Sequence, residues 1–466
     1  MKSFLSIGGG NLLRQLSTVA GQLYVVRKTG VHAFGELTIA FSVYLLMAGI
    51  SDFGARLYCW KAVLSAEVEE RPLVAIKMWI ARTTLGFLFL VPIVLGVILL
   101  CHGLLKLLLL LYSFGVLANQ ATFDWFFLSL NRITSLFIFN LSSGLLYLFF
   151  LVFLVHSESS IYWVPISFSI SYLLPALALM WRDLSKYGIF ILFSEKLKSL
   201  RTAMQIPAKS FQFFYYDFLQ RIYNSFVFIV AWNFYSKSDL GTFRVAHLLF
   251  ILVSSLSIYL GMSFFNKVHE EHVDGNPGIW IARGIVAIFL VILPFSIGGY
   301  DIIAPFVRLI MGTQYNMQPL EILLAGLSIP ALGNFIRETA VASGHSLISI
   351  TSYAFSILIT TVLIIAYHPD SLGFLSGEIL VGELVGLIVL FGFLPFTLLQ
   401  KIRFDVYLVA GLFAGFLWAM EKILPLMRSP HGGYFYGMEF VPIYCLFFII
   451  YLLFLRKKGI DTWVNG

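Results

Sequence analysis

Polar side chains recur at helical spacing within two otherwise apolar segments. They occupy positions i, i+3, i+4 and i+7, so each set lies on one helix face. An arginine near the bilayer centre costs at least about 2.5–3.5 kcal/mol on insertion scales, so it normally faces protein or water. Two interpretations stay open: these stripes line a hydrated chamber that binds a polar ligand, or their arginines cross-link helices, with Arg221 pairing to Asp217. The stripes are Asn11, Arg14, Gln15 and Thr18, and Asp217, Gln220, Arg221 and Asn224.

Other charged residues in or near the apolar segments are candidates for gating or ion coupling. Asp52 and Arg56 stand one helical turn apart, so they could form an ion pair that closes the cytoplasmic side. The alternative for this pair is a solvated helix end. Glu383 lies deep in an apolar segment, which suggests coupling to protons or cations, and Asp217 is a further candidate. No cofactor is expected. The candidate coupling ions are H+ and Na+, which would act through a gradient across the membrane.

The composition shows what kind of element must position these residues. Hydrophobic residues make up 59% of the 466 positions and charged residues only 12%, and the mean hydropathy is +0.89. A soluble globular chain is about a quarter charged, so this chain requires lipid as its covering solvent. The formal net charge of +7 is attributed to basic cytoplasmic loops rather than to nucleic-acid binding.

The apolar runs predict an all-α, polytopic membrane protein. A membrane-crossing helix needs about 20 mainly apolar residues. Turn and charge clusters divide the chain into about fourteen such runs, with twelve or thirteen as alternative counts. The predicted spans are 4–26, 35–58, 78–101, 104–128, 133–155, 161–181, 207–234, 242–265, 280–299, 320–341, 346–366, 372–398, 404–424 and 438–455.

The order of the spans predicts two pseudo-symmetric six-helix lobes followed by two further helices. The first lobe is 1–181, a basic cytoplasmic linker is 182–206, and the second lobe is 207–398. Residues 399–466 contain spans 13 and 14 and a cytoplasmic tail. Lysine and arginine are concentrated on the side that carries both termini, which the positive-inside rule places in the cytoplasm.

A sequence repeat supports the two-lobe plan. A shift of 206 residues aligns Gly35–Ala40 (GELTIA) with Gly241–Ala246 (GTFRVA), and both follow a polar turn after the first span of their half. The same shift aligns the two polar stripes. Repeats of this kind are typical of transporters that bind substrate between their lobes near the middle of the membrane.

Several short elements, taken together with this plan, match a known family. They are Gly8–Asn11, Phe34–Gly35, Asp52–Gly54, Trp125–Phe127 and Ala342–His345. With them the chain resembles, over nearly its whole length, the polysaccharide transporters of the multidrug/oligosaccharidyl-lipid/polysaccharide (MOP) exporter superfamily, which include O-antigen and teichoic-type flippases. The aromatic element continues Leu128–Ser129–Leu130, whereas the family often has Gln-Gly there. This departure bears on the assignment to a subfamily more than on the assignment to the superfamily.

The resemblance implies a transporter and not an enzyme. It implies that an undecaprenyl-diphosphate-linked oligosaccharide moves from the cytoplasmic to the outer leaflet of a bacterial inner membrane by alternating access. Guanidinium groups of the stripes would bind the diphosphate, while asparagine and glutamine would bond to sugar hydroxyls. The expected partners are this lipid-linked substrate, membrane lipid, a polysaccharide polymerase and a chain-length regulator, and no nucleic acid.

Four alternatives remain. A lipid II flippase would differ mainly in the sugar and peptide content of its substrate, and a non-transporting membrane scaffold would leave the paired polar stripes unexplained. A multidrug or toxin antiporter of the same superfamily would carry organic cations and need acids in its cavity, whereas Arg14 leads the first stripe. A membrane polysaccharide polymerase or ligase would need a large outer loop with catalytic residues, and no predicted outer loop clearly exceeds about twenty residues. The sequence has no CxxC pair, metal-ligand cluster or nucleophile motif.

Overall fold

The computed structural model describes residues 2–67, 69–122, 124–129, 132–184, 196–274, 277–312, 315–342, 345–367 and 372–393. These residues are almost entirely α-helical and include no β-strand. A single 3-10 turn covers Glu158–Ser160 in this part of the chain. The helices are α1 (Lys2–Asp52), α2 (Ala55–Leu64), α3 (Arg71–Leu100), α4 (Gly103–Gln120), α5 (Asp124–Ser129), α6 (Ile133–Leu154), α7 (Trp163–Leu184), α8 (Lys196–Ala231), α9 (Lys237–Asp274), α10 (Pro277–Met311), α11 (Gln318–Ala325), α12 (Ser328–Ala342), α13 (Ser346–Tyr367) and α14 (Leu372–Phe393).

The predicted all-α, polytopic membrane fold is confirmed. Each of the first twelve predicted spans coincides with a helix or a pair of helices. In the described part of the chain, seven helices are long and apolar enough to cross a membrane, and a pair bent by 50°, Gln318–Ala325 and Ser328–Val341, makes an eighth candidate. The count of fourteen is not confirmed. Predicted spans 13 and 14, the rest of 399–466, and residues 185–195 of the predicted linker lie outside the described residues.

Helix α1 contains the first two predicted spans. Its apolar part, Gly9–Asp52, has 44 residues, and at about 1.5 Å per residue it would be about 66 Å long. That is about twice the hydrocarbon thickness of a bilayer. Gly30 (φ 81°, ψ 161°) breaks the helix in a conformation that glycine adopts readily. Helix α1 therefore provides one span before Gly30 and a second span after it.

The turn between α1 and α2 depends on Gly54. This residue and Phe53 both have positive φ, 71° and 47° respectively. A Cβ atom at position 54 would lie 2.5 Å from the backbone nitrogen of Phe214 and 2.8 Å from the carbonyl carbon of Phe213. Glycine is therefore required twice, for the left-handed backbone and for the close approach of helix α8.

The chain divides into two compact units. Among the described residues, the larger unit comprises those within 5–248 and 353–372, and the smaller unit comprises those within 249–352 and 373–393, together with residues 2–4. The predicted lobe boundaries stay a prediction. In the larger unit, α2, α3, α5, α6 and α7 share an apolar core whose buried members are Cys59, Val63, Ala75, Trp125, Phe126, Phe127, Leu136, Phe139, Ala176 and Leu179.

The aligned glycines of the repeat lie at a reciprocal contact within the larger unit. A Cβ atom at Gly35 would lie 1.8 Å from the carbonyl oxygen of Lys237, and a Cβ atom at Gly241 would lie 2.0 Å from the carbonyl oxygen of Val31. Residues 31 and 237 are related by the same 206-residue shift as the two glycines. Equivalent ends of α9 and of the second half of α1 therefore cross at equivalent positions, as expected for an internal repeat.

Candidate substrate-binding site

Arg14 is half-buried in α1, and Tyr172 and Asn11 contact its guanidinium. Its Nη1 donates a hydrogen bond of 3.0 Å to the hydroxyl of Tyr172 on α7, and its guanidinium lies 5.6 Å from the centre of that ring. Its Nη2 lies 3.4 Å from Oδ1 of Asn11. A Cβ atom at Gly144 on α6 would lie 2.8 Å from the Cα of Arg14. Helix α6 thus packs against the backbone of Arg14, while α7 contacts its guanidinium.

Arg244 is buried in α9, with 7% of its surface exposed. Its guanidinium lies 5.4 Å from the ring centre of Phe41 and 5.1 Å from that of Phe228, within the range of cation–π attraction. Its Nη1 lies 3.4 Å from Nδ1 of His247. No carboxylate in the described part of the chain pairs with Arg244. A buried cation without a counter-charge is costly, so this environment favours an anionic ligand.

A continuous series of aromatic rings joins the two arginines. From Phe41, beside Arg244, the ring centre of Phe168 is 5.8 Å away. The ring of Phe168 lies 4.8 Å from that of Tyr172, and the ring of Tyr172 contacts the guanidinium of Arg14. Three further tyrosine rings contact this series at 5.4–6.1 Å. We call the whole set the arginine–aromatic cluster; it consists of Arg14, Arg244, Phe41, Tyr44, Tyr112, Tyr147, Phe168 and Tyr172.

The face of the first polar stripe continues to Gln22, which extends the stripe and reaches this cluster at a second point. Gln22, two turns after Arg14, donates a hydrogen bond of 2.6 Å from Nε2 to the hydroxyl of Tyr147. Tyr147 and Tyr112 lie near enough to Arg244 to act on it electrostatically. Thr18 bonds instead to its own helix, at 2.9 Å from the carbonyl oxygen of Arg14. The amide and guanidinium groups of the stripe, rather than its hydroxyl, therefore contact the cluster.

In the second polar stripe, the arginine pairs with an acid on its own helix. Arg221 donates from Nε to Oδ2 of Asp217 at 2.7 Å, four residues earlier on α8. A Cβ atom at Gly49 would lie 3.1 Å from Cδ of Arg221, so this guanidinium lies against the second half of α1. Gln15 and Gln220 are half-buried, and the side chain of Asn224 lies outside the described residues. For Arg221, the ion-pair interpretation is correct.

The predicted ion pair between Asp52 and Arg56 is wrong. Asp52 is fully buried and accepts a 2.7 Å hydrogen bond from Nε of Arg82 on α3, which is also fully buried. Arg82 donates further to the carbonyl oxygens of Thr122 and Asn119, each at 3.3 Å. Asp52 is therefore neither paired with Arg56 nor part of a solvated helix end, because a third helix supplies its counter-charge.

Arg56 takes a different acid as its partner. Its guanidinium pairs with Asp124 at the start of α5, and only its backbone N–H points to Asp52, at 3.4 Å. Two separate ion pairs, Asp52–Arg82 and Arg56–Asp124, thus tie α1, α2, α3 and α5 together. The gating role of Asp52 and Arg56 stays a prediction.

Glu383 is also neutralised. It and Arg337 are fully buried in the smaller unit, and Oε2 of Glu383 lies 2.7 Å from Nη2 of Arg337. A coupling role would suit an acid without a fixed counter-charge, whereas Glu383 is paired with a guanidinium. Among the described residues, no group of three His, Cys, Asp or Glu side chains could hold a metal ion.

Sequence reasoning missed Arg244, Arg82 and Arg337. Arg244 had a usable signal, because it lies three residues after Gly241 within the repeated element, inside an apolar run. Nothing in the sequence indicates which acids pair with Arg82 and Arg337, because each partner lies at least 30 residues away.

Neither a known family model nor a curated protein sequence matches this chain. Solved structures do match its fold. A structure of the lipid II flippase MurJ in an inward-closed conformation aligns with a TM-score of 0.68 and 14% identity, covering 97% of this chain and 99% of that one. A MATE multidrug transporter in complex with MaL6 gives a TM-score of 0.60 at 11% identity, over 86% and 96% of the two chains. An inward-facing MATE transporter of the MOP superfamily gives 0.56 at 12%, over 83% and 94%.

The chain has the MOP transporter fold. The resemblance to MOP exporters is thus confirmed at the level of fold, and the solved structures named above are transporters rather than enzymes. At 11–14% identity the likeness concerns the fold alone. A flippase and drug transporters share the MOP fold, so the substrate must be inferred from the site.

Proposed function

We propose that this chain is a flippase of the bacterial inner membrane, with both termini in the cytoplasm. It moves an undecaprenyl-diphosphate-linked oligosaccharide, an O-antigen or other surface-polysaccharide unit, to the outer leaflet by alternating access. The main support is Arg244, which is buried between two aromatic rings and has no acidic partner among the described residues. A diphosphate headgroup would provide the missing negative charge.

The arginine–aromatic cluster matches the chemistry of this substrate. Guanidinium groups bind phosphate oxygens through charge-assisted hydrogen bonds and can do so with two bonds at once. Two such groups, Arg14 and Arg244, are linked by rings whose tyrosine hydroxyls both donate and accept hydrogen bonds. Phosphate would bind to the arginines, and sugar hydroxyls would bond to Tyr112, Tyr147 and the neighbouring amides.

Three buried acids are already paired, which favours this substrate over an organic cation. Asp52, Asp217 and Glu383 each pair with an arginine at 2.7 Å. A carboxylate held by a guanidinium has little remaining attraction for a second cation. The multidrug antiporter is nevertheless the alternative that an experiment must separate, because MATE transporters share this fold.

The test is transport by the purified protein in vesicles. Vesicles that contain the chain should move an undecaprenyl-diphosphate oligosaccharide between leaflets, as measured by its accessibility to an added glycosidase. They should not accumulate a fluorescent organic cation. Arg244→Gln should abolish saccharide movement, whereas Arg308→Gln, which removes an exposed arginine of α10, should leave it unchanged. Uptake of the cation without movement of the saccharide would contradict the proposal.

The same vesicles test the driving force and the partners. The proposed driving force is a gradient of H+ or Na+, so collapsing one of the two gradients should slow saccharide movement and collapsing the other should not. The proposed partners in the cell are a polysaccharide polymerase and a chain-length regulator, which would use the exported unit. Cross-linking of membranes followed by identification of captured proteins tests this association.

A further inference from the structure

Three helices of the smaller unit surround a fully buried ion pair. Arg337 of α12 faces Glu383 of α14 with both terminal nitrogens: Nη2 lies 2.7 Å from Oε2, and Nη1 lies 3.5 Å from Oε1. Both side chains have 0% exposure. The third helix, α13, supplies Ser352, whose hydroxyl accepts a 3.0 Å hydrogen bond from Nε of Arg337.

The surrounding groups complete the hydrogen bonds of the pair. Nη1 of Arg337 also lies 3.3 Å from Oδ1 of Asn334, one turn earlier. Ser352 donates to the carbonyl oxygen of Gly386 at 2.8 Å, and Ser349 donates to the carbonyl oxygen of Arg337 at 2.8 Å. The guanidinium is thus held by oxygen atoms from all three helices. Carboxylate, amide and hydroxyl oxygens are also the ligands that hard monovalent and divalent cations prefer.

We propose that Arg337 is a built-in cation that occupies the position where an exchangeable cation would otherwise bind Glu383. A buried carboxylate must be paired or protonated to stay in an apolar interior. Arg337 meets this need permanently, because a guanidinium is charged at all accessible pH values. Glu383 therefore takes part in no exchange of H+ or Na+ in the native chain, and any coupling ion acts elsewhere.

The proposal predicts a gain of cation binding when the guanidinium is removed. Arg337→Gln keeps a hydrogen-bonding side chain but leaves Glu383 without its charge partner. This variant should take up Na+ or a proton at Glu383, whereas the native chain should not. The other charged groups on the three helices are Glu338 on α12 and Glu378 on α14, and α13 has none. Both acids are retained in every variant compared below, so a cation response that persists after Glu383 is replaced would be assigned to them.

The experiment measures the melting temperature of the purified full chain while NaCl replaces choline chloride at constant ionic strength, and again between pH 5.5 and 8.5. Compared with the native chain, Arg337→Gln should melt about 3–5 °C lower at pH 8.5 in choline chloride. Na+ or acid pH should restore much of this loss, because either one neutralises the carboxylate. Arg337→Gln/Glu383→Gln should recover stability and respond to Na+ and to pH as the native chain does.

Two results would overturn the proposal. The first is an Arg337→Gln variant whose stability follows Na+ and pH no more strongly than that of the native chain. The second is a double variant that keeps the added dependence, because the cation would then bind at another acid. If Arg337→Gln does not accumulate, growth of the host in high-Na+ medium and the double variant provide the comparison: failure of both to restore folded protein also overturns the proposal.

Discussion

Gly35 and Gly241 each lie against the backbone of the other's helix, at positions that the 206-residue repeat makes equivalent. The carbonyl oxygens of Lys237 and Val31 occupy the space that a Cβ atom would need. Glu36 forms an ion pair with Lys237 beside this crossing. The contact shows why both copies of the repeated element begin with glycine, and it relates a sequence repeat to a structural one.

We predict that Gly35→Ala and Gly241→Ala each destabilise the protein by about 1–3 kcal/mol, because a methyl group must displace a carbonyl of the opposite helix. The measurement is the melting temperature of each purified variant. Gly377→Ala is the matched control, since nothing lies within 4 Å of its Cβ position in α14. It should be neutral or slightly stabilising. Equal stability of all three variants would contradict the contact.

A second pair of glycine substitutions separates backbone strain from steric overlap. Gly54 and Gly103 both have positive φ, 71° and 62°. Only Gly54 also faces a neighbouring backbone, whereas nothing lies within 4 Å of the Cβ position at Gly103. Gly103→Ala should cost about 1–2 kcal/mol for its left-handed backbone, and Gly54→Ala should cost clearly more. Comparable melting temperatures for the two variants would show that α8 does not approach this turn closely.

The buried pair Asp52–Arg82 should dominate the stability of its part of the larger unit. Asp52→Asn leaves the guanidinium of Arg82 buried without its charge partner, at a cost of about 3–5 kcal/mol. Asp52→Asn/Arg82→Gln should recover part of this loss. Asp301→Asn, at an exposed position of α10, is the control and should change the melting temperature little. A neutral Asp52→Asn variant would rule out the pair.

The hydroxyl and the ring of Tyr172 should each contribute to the positioning of Arg14. Tyr172→Phe keeps the ring beside the guanidinium but removes the 3.0 Å hydrogen bond. Loss of one such bond should reduce saccharide movement in vesicles about twofold to tenfold. Tyr172→Leu should reduce it further, because the ring contact is also lost. Tyr162→Phe, at an exposed tyrosine, should have no effect, and three equal rates would exclude Tyr172 from the site.

Much of the fold follows from the sequence because lipid imposes a simple rule. Runs of about 20 apolar residues must form helices that satisfy their own backbone groups, and the first twelve predicted spans coincide with helices. The repeat was visible because close helix crossings require glycine at fixed positions. The bend of 50° between α11 and α12 was not predicted, although Gly326 and Pro330 stand beside it and such residues often interrupt a helix.

The site was predictable only in part, for a physical reason. Helical periodicity places Arg14 and Arg221 on helix faces, but it contains no information on which side chain of another helix will lie opposite. Asp52 was expected beside Arg56 because sequence neighbours are the only visible candidates, whereas Arg82 comes from α3. Arg244 differs from Arg221 in having no acid nearby among the described residues, and only three-dimensional packing reveals that difference.

The most direct test of the account is binding of undecaprenyl diphosphate, without sugars, to the purified chain, measured by native mass spectrometry with undecaprenyl monophosphate and a neutral polyprenol as competitors. We expect the diphosphate to bind in preference to both competitors. Arg244→Gln should weaken its binding at least about tenfold, since a charge-assisted bond contributes about 1.5–3 kcal/mol, and Arg308→Gln should not. Equal binding of diphosphate by the native and Arg244→Gln proteins would contradict the central claim that Arg244 recognises an anionic lipid headgroup.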